Sequence, residues 1–173
     1  MGVNVGNNPL SILSDLEPVP VRDYLSKRWW LWLTYETSME RTIEALLKRL
    51  NIPRTDLLLP CTFCAKYLTQ DELTAFEYSD FNLIWRRGNV FGVCVSCARL
   101  CASLDVLQHL GNSLPAVDVI NREGKGLQEV VVRCRVCLHR LSFTEKLQAA
   151  ERSELFARVR GRWRARCRIC KFV

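Results

Sequence analysis

Eight of the nine cysteines stand in four C-x-x-C pairs, Cys61/Cys64, Cys94/Cys97, Cys134/Cys137 and Cys167/Cys170, and the last two pairs repeat the first two at an offset of 73 residues. Each half therefore reads C-x2-C-x29-C-x2-C. Thiols two residues apart can reach one ion from a single turn. Two such pairs supply the four sulfurs of a closed tetrahedral zinc site. The spacing predicts two structural Zn2+ ions, one per repeat, with Cys101 left over.

Other uses of so many cysteines fit less well. A redox enzyme needs one C-x-x-C, not four in register. A disulfide scaffold belongs to an oxidising compartment, yet the start of the chain has no basic region followed by a long apolar run. The longest solid apolar stretch, Trp29 to Leu33, is too short to span a bilayer. The expectation is reduced thiols in a cytosolic or nuclear setting, with no membrane partner. A metal also makes physical sense for size: units below about 80 residues seldom bury enough apolar surface to hold themselves together, and each half of this 173-residue chain is in that range.

The fold class expected is α+β: two tandem four-cysteine zinc units, each a helix with a short antiparallel sheet, joined by a linker helix. Residues 1–38 lie outside the repeat and read as a loosely ordered extension, since six of the first ten are Gly, Asn or Pro. The first zinc unit is placed at 39–97, the linker helix and loop at 98–126, and the second zinc unit at 127–173. Thr37 to Glu40 matches a capping box. Ile43, Leu46, Leu47 and Leu50 then form one helical stripe, which Pro53 ends. Leu57–Leu59 reads as a strand leading into the first pair.

Within each repeat, Thr69-x-x-Glu72 and Ser142-x-x-Glu145 predict capped helices. Asn82–Arg86 and Leu155–Arg160 read as strands. Arg87-Gly88 and Arg160-Gly161 are turns into the strands Val90–Val93 and Arg162–Arg166. Between the repeats, Ala98–Leu110 has helical apolar spacing, closed by Gly111 and Pro115. Asn121–Gly126 reads as a turn and Leu127–Arg133 as a strand.

Four thiolates close each metal site, so a structural role is expected rather than a catalytic one, which keeps an open position. His109 and His139 are the only histidines. No Ser/His/Asp set, P-loop or carboxylate pair is visible, and the chain is not expected to be an enzyme. Charge is the other clue. From Cys134 to Val173 there are 11 Lys/Arg against three Glu, a net +8, so the C-terminal repeat carries the whole excess of a +7 chain. That points to acidic partners. Arginines fill the even positions from Arg158 to Arg168, with Val159, Gly161, Trp163 and Ala165 between them. In a strand this sets a guanidinium row on one side. Arg160, Arg164 and Arg166 would then make a phosphate-binding ridge for DNA, or simply a solvated face. A cleft between the units is the alternative ligand site. Phe63, Ile84, Val93, Leu100 and Leu104 would line it, rimmed by arginine, to suit an acidic amphipathic helix.

The doubled cysteine frame, its 36-residue spacer, Ile84-Trp85-Arg86 before a Gly turn, and Val159-Arg-Gly-Arg-Trp163 before the last pair together resemble the papillomavirus early protein six family, over about residues 39–173. The resemblance implies a zinc-binding viral adaptor and oncoprotein of the host nucleus and cytoplasm. Such proteins capture acidic LxxLL helices of host proteins between the two zinc units and the linker helix. Carried over by position, Phe63, Phe81, Ile84, Val93, Cys101 and Leu104 would receive the leucines, and Arg133, Arg162 and Arg41 the polar and acidic groups. The host partner would be a ubiquitin ligase or a Mastermind-like coactivator, with effects on host transcription, apoptosis and protein degradation. A zinc-dependent nucleic-acid-binding regulator remains the alternative. A ubiquitin ligase activity of its own is a weaker one, because cross-brace ligase domains interleave their ligand pairs. Lys171 stands where a PDZ ligand needs Ser or Thr, so no PDZ partner is expected. Finally, Leu10-x-x-Leu13-x-x-Leu16-Glu17 is an acidic LxxLL-like segment that could occupy the chain's own groove.

Overall fold

The computed structural model describes residues 39–172. The expected extension, including Thr37 and the leucines at 10, 13 and 16, lies outside them. The described elements are helix α1 (Ile43–Leu50), α2 (Gln70–Tyr78), strands β1 (Ile84–Arg86) and β2 (Asn89–Phe91), α3 (Val95–His109), β3 (Leu110–Leu114), α4 (Ala116–Glu123), β4 (Val132–Cys134), α5 (Phe143–Glu151), β5 (Phe156–Val159) and β6 (Arg162–Ala165), with single 3-10 turns at Arg54–Asp56 and Ile169–Lys171. No helix among the described residues is long and apolar enough to cross a membrane.

The repeat holds at the level of single hydrogen bonds. Cys61 N–H donates to Lys66 O at 2.8 Å and Cys134 N–H to His139 O at 2.7 Å; Leu68 N–H donates to Leu59 O and Leu141 N–H to Val132 O, both at 2.9 Å. Thr69 and Ser142 both form complete capping boxes, with Glu72 and Glu145 reaching back to the cap N–H. Both hairpins turn on Arg-Gly, with φ of 49° and 79° at Arg87-Gly88 and 48° and 72° at Arg160-Gly161. Two successive positive φ values are the type I′ signature that matches strand twist.

The departures from the repeat matter more for function. The first unit keeps a two-stranded sheet, β1-β2; the second builds four strands in the order β3-β5-β6-β4, with β4 parallel to β6. Its third partner, β3, pairs antiparallel with β5 and comes from the stretch expected to be a loop after the linker helix. Gly111 does not close that helix. It sits inside β3, where an added Cβ would lie 3.1 Å from Arg158 O, so glycine is there to let two backbones approach. The turn expected at Asn121–Gly126 is instead the end of α4, closed by Gly124 at φ +63° with its N–H on Ile120 O.

Three smaller expectations are corrected. The cap of α1 is Thr42, whose hydroxyl accepts from Ala45 N–H at 3.2 Å, while Glu40 pairs with Arg49 at 2.6 Å. Leu57–Leu59 is not a strand: Leu57 and Leu59 are buried and Leu58 is exposed, but ladder bonds begin only at the Pro60–Tyr67 and Cys61–Gly92 bridges. The strand expected at Leu127–Arg133 shrinks to β4, with Leu127 and Val130 buried in an irregular approach.

Each unit has its own core. Ile43, Leu46, Leu59, Leu73 and Phe76 centre the first. Val119, Val132, Phe156 and Trp163 centre the second. Trp163 Nε1–H donates to Glu123 at 2.9 Å, tying α4 to β6.

Candidate functional site

The cysteines converge as the spacing requires. In each quartet, Cys61/Cys64/Cys94/Cys97 and Cys134/Cys137/Cys167/Cys170, the sulfurs all lie within 4.8 Å of one another. The Cys64–Cys94 and Cys137–Cys167 Sγ separations are both 3.8 Å. A tetrahedron with metal–sulfur bonds of about 2.3 Å has edges of about 3.8 Å, so the donor set fits zinc in geometry and chemistry. Backbone donors hold the sulfurs: Cys94 N–H points at Cys61 Sγ and Cys167 N–H at Cys134 Sγ, each at 3.4 Å. Hydrogen bonding from the Cys137 thiol, helped by backbone N–H groups, holds Cys134 down to about 4 despite burial. Burial and crowding by neighbouring sulfurs push Cys97 far up. Four thiolates cannot coexist there without a cation between them. The two quartets are structural zinc sites. Cys101 belongs to neither.

The second site carries an additional brace. Glu145 accepts from Ser142 N–H at 2.8 Å and from Arg168 N–H, inside the last C-x-x-C, at 2.9 Å; His139 Nε2 lies 3.6 Å from it. Burial raises the Glu145 pKa, but these donors, the Ser142 hydroxyl and His139 outweigh it, and the carboxyl sits below the ordinary value. A depressed carboxyl contributes stability that is present above its unfolded pKa and lost as pH falls through the folded one. Glu145→Gln is therefore expected to cost about 1–2 kcal/mol. That loss should be the same at pH 7.5 and pH 5.5, since both lie above an unperturbed Glu at about 4.3. Urea unfolding of the zinc-loaded proteins checks it; a gap that narrows at the lower pH would mean the carboxyl titrates in that interval.

The two units touch directly. Tyr78 at the end of α2 stacks on His139, with ring centroids 4.4 Å apart and planes 3° from parallel. Arg140 pairs with Asp80 at 2.6 Å. Arg133 donates to Ser79 O at 2.9 Å, Asp80 O at 2.8 Å and Leu138 O at 3.0 Å, and lies over the Phe81 ring. Cations are favoured against the carbonyl end of a helix. Arg133 thus joins the C-terminal end of α2 to the second metal loop. Beside this contact is a mostly apolar cavity of about 160 Å³, reached by Phe81 and Val93 among the expected groove residues, and walled opposite by His139 and Cys170.

Helix α3 lies between the units. Cys94, a metal ligand, is its N-cap. Further along, Asp105 ion-pairs with Arg160 at 3.0 Å and Arg164 at 3.6 Å, fixing α3 against the second sheet. The register pairs Arg133 with Arg164, and Arg162 stands two residues before Arg164. Side chains of registered partners, and of alternate residues, share a sheet face. Arg133, Arg162 and Arg164 therefore lie on the face that looks toward α3. The expected row from Arg158 to Arg168 does not exist as one strand. The hairpin at Arg160-Gly161 intervenes, Arg158 registers with Trp163 and stacks on its ring at 5.4 Å, and Arg164 is buried.

The other candidates are spread around α3. Cys101 and Leu104 are half-buried in neither core, and Leu100 and Leu107 are exposed. Burial, then the Asp105 carboxylate, pushes the Cys101 thiol up to about 11, so it is an apolar, protonated group. Ile84 is half-buried opposite Phe91 in the first hairpin. Phe63 packs against the first core. Arg162 and Arg166 are exposed. Arg41 is exposed at the start of α1 and its carbonyl accepts Leu83 N–H at 2.8 Å. Sequence reading missed Asp105, Asp80 and Tyr78, which place the two units and α3. The single acid on α3 was the visible signal for Asp105.

A protein-family model described as Early Protein (E6) matches residues 61–170. Protein E6 of Mastomys natalensis papillomavirus is 59% identical over 135 residues, 78% of this chain and 100% of that protein. Protein E6 of human papillomavirus type 49 is 41% identical over 128 residues, 74% of this chain and 93% of that protein. Among solved structures, the C-terminal zinc-binding domain of HPV51 oncoprotein E6 aligns at 25% identity and a TM-score of 0.35, covering 37% of this chain and 84% of that one.

Proposed function

The chain belongs to the papillomavirus E6 family, and from that premise we propose that it is a viral adaptor capturing acidic LxxLL helices of host proteins between its two zinc units. The observation that carries the reading is the pairing of two surfaces. Cys101 and Leu104 on α3 belong to neither core, and the sheet face toward that helix presents the exposed Arg162, two residues before the Arg164 that Asp105 holds. Leucines of a short helix suit the first surface. An acidic group of that helix suits the guanidinium fork of Arg162. The partner is then a host ubiquitin ligase or a Mastermind-like coactivator, met in the host nucleus and cytoplasm, and the protein works by redirecting that partner rather than by catalysis.

Arg162→Glu is the direct test. Reversing an exposed charge that faces an acidic helix should weaken binding of an acidic LxxLL peptide by about tenfold to a hundredfold, from the loss of a charged hydrogen bond of about 1.5–3 kcal/mol. Two zinc ions per chain should remain. Unchanged peptide affinity with both ions retained would remove Arg162 from the groove.

The nucleic-acid reading draws less support. Of the three arginines it relies on, Arg164 is buried and Arg160 and Arg164 are both engaged by Asp105, which leaves Arg166 as the exposed one. Binding through phosphates would fall steeply with salt as counterions are released, whereas one or two ionic contacts to a peptide would vary little.

A further inference from the structure

The seam between the two units leaves a space that neither fills. Folded interiors seldom keep voids larger than a water molecule, yet about 160 Å³ stays open between the end of α2, the start of α3 and the second metal loops. Phe81 and Val93 wall it from the first unit and Ile169 from the second. Ala75 and Ala98 also line it, and a longer side chain at either would take up the room. A dry apolar cavity of about 150 Å³ takes a molecule the size of benzene, so the space suits one aromatic ring.

Two polar groups on its wall lack partners. His139 is 8% exposed, Tyr78 stacks on its imidazole, and Nδ1 is buried with no hydrogen-bond partner among the described residues. Nε2 faces the Glu145 carboxylate at 3.6 Å and so carries the proton, which makes Nδ1 an acceptor. Arg99 stands exposed at the rim, and its guanidinium has no carboxylate or hydrogen-bonding partner among the described residues. It differs in this from Arg133, held by three carbonyls, and from Arg164, held by Asp105. No Asp or Glu lines the cavity.

We propose that the cavity binds a single-ring aromatic acid, with the ring between the units, a ring hydroxyl donating to His139 Nδ1 and the carboxylate on Arg99 at the mouth. A donor on the ligand satisfies a buried acceptor that the protein leaves unpaired. The guanidinium fork matches a carboxylate. This chemistry is found in a free hydroxyphenyl acid and in a tyrosine beside an acidic residue of a peptide. The walls come from both units, so an occupant would also hold them together.

The test titrates the zinc-loaded full chain with 4-hydroxyphenylacetate and follows the methyl NMR signals of Val93, Ala98 and Ile169. Saturable shifts with a Kd on the order of 1 mM are expected for a ligand this small. Phenylacetate on the parent, and 4-hydroxyphenylacetate on Arg99→Gln, should each bind about tenfold more weakly. Phenol should bind both proteins alike. The peptide acetyl-Asp-Tyr-Glu-amide separates the sources: the same shifts at lower concentration than the free acid assign the site to a peptide side chain, and at higher concentration to a small molecule. Ala98→Leu, with both zinc ions retained, should abolish binding. No saturable shift at these methyls, equal affinity for phenylacetate, or undiminished binding by Arg99→Gln or by folded Ala98→Leu overturns the site and leaves the LxxLL reading standing.

Discussion

Stripping zinc from the reduced protein with a strong chelator will abolish its cooperative thermal transition and most of its helical circular dichroism, and returning zinc will restore both. The reason is where the ligands sit. Cys134, Cys167 and Cys170 are members of the second core and Cys61 and Cys94 of the first, so metal and apolar packing are one structure. Structural zinc contributes about 10–16 kcal/mol in small peptides, whereas a whole domain is stable by only about 5–15 kcal/mol. The metal term therefore exceeds what either core could retain alone. Acid should do the same work more gently. Coordination requires four deprotonated sulfurs, and Cys97, raised by burial and neighbouring sulfurs, holds its proton when no cation is present; apparent zinc affinity will fall as pH drops. A protein that keeps its transition after both ions are removed would show that the cysteines staple nothing.

Asp105→Ala should be the most damaging substitution away from the cysteines, lowering stability by about 3–5 kcal/mol. Arg164 is 6% exposed; burial lowers its pKa and the Asp105 carboxylate works against that. One guanidinium nitrogen, Nη1, is already buried without a hydrogen-bond partner among the described residues. Removing Asp105 leaves a buried cation with no counter-charge, which costs far more than the pair itself contributes. A double-mutant cycle of the parent, Asp105→Leu, Arg164→Met and their combination separates these terms. Asp105→Leu combined with Arg164→Met should recover most of the loss, because apolar isosteres replace buried pairs at little cost. Urea unfolding at saturating zinc measures all four forms. If the single Asp105 variant loses less than about 0.5 kcal/mol, the level of an exposed pair, the carboxylate does not hold α3 to the sheet. The same variant should bind LxxLL peptide poorly even when folded, since α3 would no longer be fixed beside Arg162.

The repeat made the metal sites, the capped helices and the Arg-Gly hairpins legible, because each depends on residues close in sequence. Thr69 with Glu72, or Arg160 with Gly161, carries its own geometry. The connector was not legible for the opposite reason. Leu110–Leu114 has a glycine, an asparagine and a serine and is mostly exposed; nothing local makes it a strand. It becomes one because β5 offers an open edge, and strand preference yields to such pairing. Helix α4 did leave a trace, with Ala116, Val119 and Ile120 at helical spacing, but Gly124 and Gly126 read more strongly as a turn. The arginine row failed through parity. Alternation predicts one face only while the strand continues, and a two-residue turn puts Arg158 with Trp163 instead of with Arg164. The groove residues came from family resemblance rather than from pattern, since half-buried positions such as Cys101 and Leu104 leave no periodic mark.

The borrowed strand β3 also decides where the chain can be divided. The second unit's sheet is bordered by residues 110–114, which precede its first cysteine pair by about twenty residues. A fragment starting at residue 127 would leave the edge of β5 bare, an open template for pairing with another chain. The working boundary of the second unit therefore lies before β3, not where the repeat begins.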